Sequence, residues 1–360
     1  MYNMNMSPTE VRISKDALIN NYNILSSLES GEVWPVIKSN AYGHGSQEVV
    51  SCLDDQDFSH YIVQHYYEAE ELFNHTEKKF LMLGFQPLDL YKGIDHKRVT
   101  IMVPSIALLE YLVSLNSEFI IHLKINTGMN RHGIDPQELI KALKILKDSK
   151  IELEGIMTHF ASADETDLGS LGKQEDIFKE IRERFPGIRY VHSNNSAGAV
   201  TSNIRSDIVR AGILLYGLSP FEDSEMTPRG IIPAMEYVTH ITSVRNISPG
   251  DTVGYGDTFK ATKEMTLATV PVGYHEGIAR ALSNKGFLLI KDTPCPIIGR
   301  VSMNITTIDV SHLGEINVGE EVTILSGLKG NQAGSLADIA DTIHYEITTN
   351  IKSHIPRVVI

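Results

Sequence analysis

The sequence predicts an α/β fold in two parts: an N-terminal (β/α)8 TIM-like barrel over residues 9–235 and a C-terminal, mostly β domain over residues 236–360. Three observations carry this expectation. The chain has 360 residues, more than one hydrophobic core usually organises, so a large and a smaller domain are expected. Up to residue 213, short β-branched and apolar runs alternate with longer helical patterns. Beyond residue 235 that alternation stops and short strands dominate. Residues 1–8 are free to pack with the second domain.

The candidate strands of the first part are, in order, VWPVI (33–37), HYIVQ (60–64), FLMLG (80–84), VTIMV (99–103), FIIHLKIN (119–126), LEGIMTH (153–159), IRYVHS (188–193) and IVRAGI (208–213). Helical segments lie between them. In PQELIKALKILKDS (136–149), Leu139, Leu143, Ile145 and Leu146 fall largely on one helical face. Eight such units match a parallel barrel. A doubly wound open sheet shares the same alternation and competes with it. After residue 235 come an SPGD turn and the stretch GFLLIKDTPCPIIGRVSMNITTIDVS, with little helical periodicity until SLADIADTIHYEI.

Composition narrows the function. Hydrophobic residues make up 42% and charged residues 21%, ordinary values for a globular protein. No segment approaches the roughly 18 consecutive apolar residues of a membrane span. The N-terminus lacks a basic stretch followed by an apolar core, so a secretory signal is not expected and a cytoplasmic location is. A net charge of -13 disfavours nucleic acid or an anionic membrane as the main partner. Cys52 and Cys295 stand far apart and outside any Cys/His spacing, so neither a disulfide framework nor a metal site is expected.

The chemistry concentrates at strand ends, where such barrels place their active sites. Lys38 directly follows the first candidate strand, in KSNAYGHG. A lysine in a pocket mouth can be kept neutral enough to condense with an aldehyde cofactor; alone, it reads more readily as a solvated surface charge, by roughly ten to one. HSNNSAGA (192–199) and VRAGILLYGLSP (209–220) follow the seventh and eighth strands, whose loops often hold a phosphate. Ser196 would offer its hydroxyl there, or serve as a plain helix cap, and Gly212 would let the backbone approach closely. KINTGMNRHG (124–133) and MTHFASAD (157–164) supply Arg131, a planar fork for a carboxylate, and His159. Each alone reads as a surface ion pair or a core histidine. The barrel places Lys38, Arg131, His159, His192 and Arg210 around one mouth.

These residues resemble the alanine racemase family of pyridoxal-phosphate enzymes, and the likeness covers nearly the whole chain. KSNAYGHG is similar to the family's KANAYGHG, and KINTGMNRHG, THFASAD, NNSAGA, VRAGILLYGLSP, VGYGDTF, VPVGYHEG and IIGRVSMN follow in the family's order. The resemblance implies that Lys38 carries pyridoxal 5'-phosphate and is one of two catalytic bases, Tyr255 being the other. It implies that Tyr42, Ser196, Gly212 and Ile213 hold the phosphate, with Asn195 beside them, while Tyr274 completes the site across a subunit interface. Arg210 would face the pyridine nitrogen, supported by His192; His159 would orient the catalytic tyrosine. Arg131 and the N–H of Met303 would bind the substrate carboxylate, and Lys124 matches a lysine that some members carbamylate. The implied partner is a second copy of the chain, each active site being shared in a homodimer, and the implied reaction is the interconversion of L-alanine and D-alanine, supplying D-alanine for cell-wall synthesis.

Several positions depart from the family pattern. Asn126 stands where Asp is common, His275 and Glu276 replace Ala-Asp, Asn304 replaces Asp, and Ser353 occupies a position that is tyrosine in some relatives, with His354 its neighbour. These departures bear on substrate preference, so a racemase preferring serine is an alternative. A decarboxylase of the same fold would carry an acidic residue where Arg210 stands. A non-catalytic carrier of the cofactor would usually lack the second domain and Tyr255.

Overall fold

A computed structural model describes residues 8–28, 31–327 and 332–360. The chain divides into two units, one comprising Leu18–Ser39 and Val50–Ile231, the other residues 8–17, Asn40–Val49 and Ile232–Ile360. Residues 1–7, which the sequence leaves free to pack with the second domain, lie outside the described residues. Strand β1 (Glu10–Ile13) belongs to the second unit.

In the first unit eight strands appear where the sequence predicts them: β2 (Glu32–Pro35), β3 (His60–Val63), β4 (Lys79–Met82), β5 (Val99–Val103), β6 (Ile120–Lys124), β7 (Glu152–Met157), β8 (Tyr190–His192) and β9 (Ile208–Ala211). Strands β3 to β8 form one parallel sheet in chain order, and β2 pairs in parallel with β9, Trp34 opposite Arg210. A bridge from Val36 to Ile62 links β2 to β3. Asp207 N–H donates to Val191 O at 2.9 Å and Arg210 N–H to Asn194 O at 3.0 Å, which ties β9 to the β8 side. The circuit therefore closes without the reversal of strand order that defines an open doubly wound sheet. The helix Leu139–Lys147 buries Leu139 and Ala142, while Leu143 is exposed. The face toward the barrel is rotated from the one its largest apolar residues suggest.

The barrel interior is unusually polar. Trp34, fully buried, stacks on His60 with ring centroids 4.1 Å apart and meets Tyr190 edge-on at 5.2 Å. Burial lowers the pKa of His60 to about 3, and its Nε2 is buried without a hydrogen-bond partner. In the second unit burial does the same to His44, again to about 3. An unfolded histidine titrates near 6.5, so between roughly pH 6.5 and 3 the unfolded chain binds a proton that the folded chain refuses. Stability from these groups is complete above the upper limit and is lost as pH falls, each contributing a slope of about 1.4 kcal/mol per pH unit. Denaturant titrations at pH 5 and pH 6 should show a smaller difference in His60→Gln than in the natural chain. Equal differences would mean that His60 is not held neutral.

The second unit is built on a six-stranded sheet, in which β1 runs antiparallel to Met235–His240 and parallel to Arg357–Val359. A separate three-stranded sheet joins Ser243–Ile247, Met265–Val270 and Thr306–Asp309. Ala261, Met265, Leu267 and Ile298 form a local core. Cys52 and Cys295 are both buried thiols. No helix among the described residues is long and apolar enough to cross a membrane.

Candidate active site

The chain leaves β2 through a left-handed turn. Ser39, Asn40, Ala41 and Tyr42 have φ values of 54°, 54°, 52° and 55°, a conformation that costs roughly 1–2 kcal/mol per residue for side chains bearing Cβ. Local bonds offset it. Gly43 and Gly45 N–H both donate to Asn40 O, at 2.9 and 3.0 Å, and Ser46 N–H donates to Asn40 Oδ1 at 3.0 Å. Gly43 is obligatory, since a Cβ there would lie 2.0 Å from Thr348 O. At the start of the turn the Glu68 carboxylate accepts from Ser39 N–H at 2.7 Å while also accepting from Gln64 and His65 N–H at 2.7 and 3.0 Å.

This turn presents Lys38. Burial and the charge of Arg131 lower the pKa of its amine, against an opposing pull from Glu68. Lys124, the last residue of β6, is buried and lowered further, to about 8, by burial and by Arg131, Arg210 and Lys38. Four cations thus crowd one end of the barrel, a field that favours an anionic ligand and neutral amines.

Arg210, buried in β9, organises the strand ends. Its Nη2 donates to Thr158 O at 2.9 Å and Ser193 O at 2.8 Å, with His159 Nδ1 at 3.2 Å, and its Nη1 lies 3.0 Å from His192 Nδ1. A guanidinium has only donors, so His192 Nδ1 accepts and its proton resides on Nε2. That Nε2 meets His122 Nδ1 at 2.8 Å, and His122 Nε2 meets Glu154 Oε2 at 3.2 Å. Both imidazoles are therefore neutral, with tautomers dictated from Arg210 inward. Burial lowers both pKa values, in keeping with this assignment. The path ends at Arg189, which donates to Glu154 Oε1 at 3.1 Å. Burial also pulls Arg210 down, to about 9, so at neutral pH it remains a cation. His159 is lowered well below its usual value by burial and by Arg210, and Gln174, buried in the helix Gly169–Arg182, donates to its carbonyl at 3.1 Å.

After β8 and β9, Ser196 Oγ accepts from Gly212 N–H at 3.0 Å and Leu214 N–H at 3.4 Å. An oxygen already sits where the N–H groups of the turn Ile213–Tyr216 converge. Ser196 does not cap the following helix, Gly198–Thr201; Asn195 Oδ1 takes the Gly198 N–H at 2.8 Å instead.

Arg131 is exposed on the loop after β6, which Asn126 shapes. Asn126 Oδ1 accepts from Gly128 and Asn130 N–H at 3.3 and 3.1 Å, and its Nδ2 donates to Asn130 Oδ1 and Asp135 Oδ1 at 3.0 and 2.9 Å. An aspartate could not make the last two bonds, so this departure braces the loop. Gly133, at φ +138°, has no room for a Cβ, which would lie 2.5 Å from Asn126 N.

In the second unit Tyr255, Tyr274 and Met303 are exposed, Tyr255 at 72%. Tyr255 projects from a tight turn between Gly254 and Gly256, both at positive φ. Tyr274 and Met303 sit on two loops joined backbone to backbone: Tyr274 N–H donates to Ser302 O at 3.1 Å and His275 N–H to Met303 O at 2.9 Å. A Cβ on Gly273 would lie 2.1 Å from Ser302 O. Tyr42 lies with its ring 6.2 Å from Tyr345, and burial raises its pKa to about 12, keeping the hydroxyl a donor. Within the first unit, then, Lys38, Lys124, Arg131, His159, His192, Asn195, Ser196, Arg210, Gly212 and Ile213 all stand at or just beyond the C-terminal ends of strands. Glu68, His122, Glu154 and Gln174 were not expected from sequence. Only His122 carries a signal, a histidine amid the apolar run IIHLK.

Comparison with known proteins bears on this arrangement. Residues 13–220 match the family model for the alanine racemase N-terminal domain, and residues 234–359 that for the C-terminal domain. An alanine racemase of Staphylococcus carnosus (strain TM300) is 36% identical over 365 residues, covering 98% of this chain and 94% of its own length. Among solved structures, an alanine racemase of Clostridium difficile 630 is similar with a TM-score of 0.91 and 31% identity, over 99% of this chain and 96% of that one. An alanine racemase of Bacillus anthracis with bound L-Ala-P gives a TM-score of 0.90 at 30% identity, over 99% and 95%. With matches to both domain models and full-length relatives above 30% identity, the chain belongs to the alanine racemase family.

Proposed function

We propose that the protein interconverts L-alanine and D-alanine using pyridoxal 5'-phosphate, with two bases on opposite faces of the substrate carbon. The observation that carries this reading is the Lys38 amine, lowered in pKa by burial and Arg131 at the barrel end where Arg210 is also fixed. The residues suit the cofactor. Lys38 offers an amine for its aldehyde, Ser196 with the Gly212 and Ile213 backbone offers a cradle for its phosphate, and Tyr42 offers a hydroxyl donor. When bound, the cofactor supplies a conjugated ring that spreads the charge left on the substrate carbon as its proton departs.

The chain's own residues do the rest. Removing a proton from one face and returning one to the other requires two groups, and we assign these to Lys38 Nζ and the Tyr255 hydroxyl of the partner subunit. Arg210 retains its Nε–H and one Nη1–H for a further acceptor, since the other bonds are committed. A permanent cation there would disfavour a proton on the cofactor's ring nitrogen and so moderate how strongly the ring withdraws charge. His159 orients the tyrosine, and His192 holds Arg210. Arg131 takes the substrate carboxylate with the Met303 N–H of the partner subunit, whose Tyr274 closes the phosphate site. A neutral fraction of the Lys124 amine can add carbon dioxide as a carbamate, giving Arg131 an anionic neighbour. The protein would act in the cytoplasm as a homodimer, supplying D-alanine for the cell wall.

The test is incubation of the pure protein with a panel of L-amino acids, followed by chiral chromatography. L-alanine should approach an equal mixture with D-alanine fastest. Failure to form D-alanine with the cofactor present would refute the assignment.

Serine is a second reading, favoured by the tail. Ser353 is exposed, and the neighbouring His354 is engaged in a stack with His275, centroids 5.1 Å apart. A pocket with serine in place of an aromatic ring has space and a hydroxyl for a polar side chain. Ser353→Tyr should then raise the kcat/KM ratio of alanine over serine, by about 10-fold or more. An unchanged ratio would mean that this residue does not shape the pocket.

A further inference from the structure

Three side chains of the second unit to which the activity assigns no role converge on one spot. A ring nitrogen from His275, another from His354 and a carboxylate oxygen of Glu276 lie within 4.8 Å of one another. Gly277 helps to bring the distant His354 there: at φ +112°, its missing Cβ would lie 2.9 Å from Ile351 Cα, so the turn presses against the segment leading to the tail. Both histidines are exposed and Glu276 is buried.

The carboxylate is held in a fixed orientation. Its Oε2 accepts from Gly273 N–H at 2.8 Å, and its Oε1 accepts from Asn304 Nδ2 at 2.6 Å while facing His275 Nδ1 at 3.1 Å. A surface His–Glu pair alone would need neither the second imidazole nor the amide, and would contribute little. A carboxylate oriented by an outer amide, beside two imidazoles, is the arrangement that metal sites use. We propose that His275, Glu276 and His354 bind a divalent transition-metal ion of the zinc class, with water completing the coordination. Two nitrogens and one oxygen suit zinc, cobalt or nickel, whereas calcium and magnesium prefer oxygen alone. Bonds of about 2.0–2.2 Å would place the ligand atoms roughly 3.3 Å apart, a closure that exposed imidazoles reach by side-chain rotation. The ion ties the loop bearing Tyr274 to the C-terminal tail.

The experiment uses the full-length holoenzyme, freed of metal by dialysis against a chelator and titrated with zinc chloride against a chromogenic competitor. One equivalent per chain should bind. His275→Ala and His354→Ala should each abolish stoichiometric binding, while Asn304→Ala weakens it about 10-fold or more. His312→Ala, at an exposed histidine outside the cluster, should bind like the natural chain. Circular dichroism would confirm that the variants are folded. Zinc uptake no greater than that of the His275→Ala/His354→Ala double variant, or uptake that survives in either single variant, would overturn the proposal.

Discussion

Lys38→Ala is expected to lose both racemisation and the visible absorbance of the bound cofactor. The left-handed turn from Ser39 to Tyr42 follows Lys38 directly, and Glu68 pins the turn's first N–H. No other lysine of the chain lies in a matching motif. Lys124 is also depressed, to about 8, but it ends a different strand, next to the loop that carries Arg131. Loss of a covalent anchor and a catalytic base together should reduce kcat by several orders of magnitude, on the scale seen when a nucleophile and its base are deleted. A borohydride-reducible, lysine-linked cofactor persisting in Lys38→Ala would refute the assignment.

The second large effect is a recovery. Tyr255→Phe should be nearly inactive alone, because it removes the opposite base while preserving the ring. Mixing it with Lys38→Ala under conditions of subunit exchange should restore activity, since each heterodimer regains one site with Lys38 from one chain and Tyr255 from the other. A random mixture forms about half its dimers as heterodimers with one intact site each, so roughly a quarter of natural activity is expected. Proven exchange with no recovery would show that sites are not shared.

Much of the barrel was legible because its signals are local. Each strand is a short apolar run, and a strand end fixes where its next side chains stand, so Lys38, Arg131, His159, His192 and Arg210 could be placed on one rim. What supports them was not legible. Glu68 reaches Ser39 across 29 positions, and His122 reaches His192 across 70; neither pairing leaves a periodic trace. The left-handed turn was hidden for a different reason, since Asn40 and the two glycines announce a turn without stating its hand. Asn126 and Asn304 read as changes near a ligand. In the structure one braces a loop and the other bonds Glu276. Ser196 reads from sequence as either a helix cap or a phosphate ligand; in the structure Asn195, not Ser196, takes the Gly198 N–H.

The two-base account is tested most directly by racemising L-alanine in deuterium oxide and analysing the first-formed D-alanine by mass spectrometry. If Lys38 removes a proton from one face and Tyr255 of the partner subunit delivers one to the other, or the reverse, nearly every early D-alanine molecule carries a solvent deuteron at Cα, while unreacted L-alanine remains largely unlabelled. A single base serving both faces would instead return the substrate's own proton, and substantial unlabelled D-alanine at early times would contradict the account.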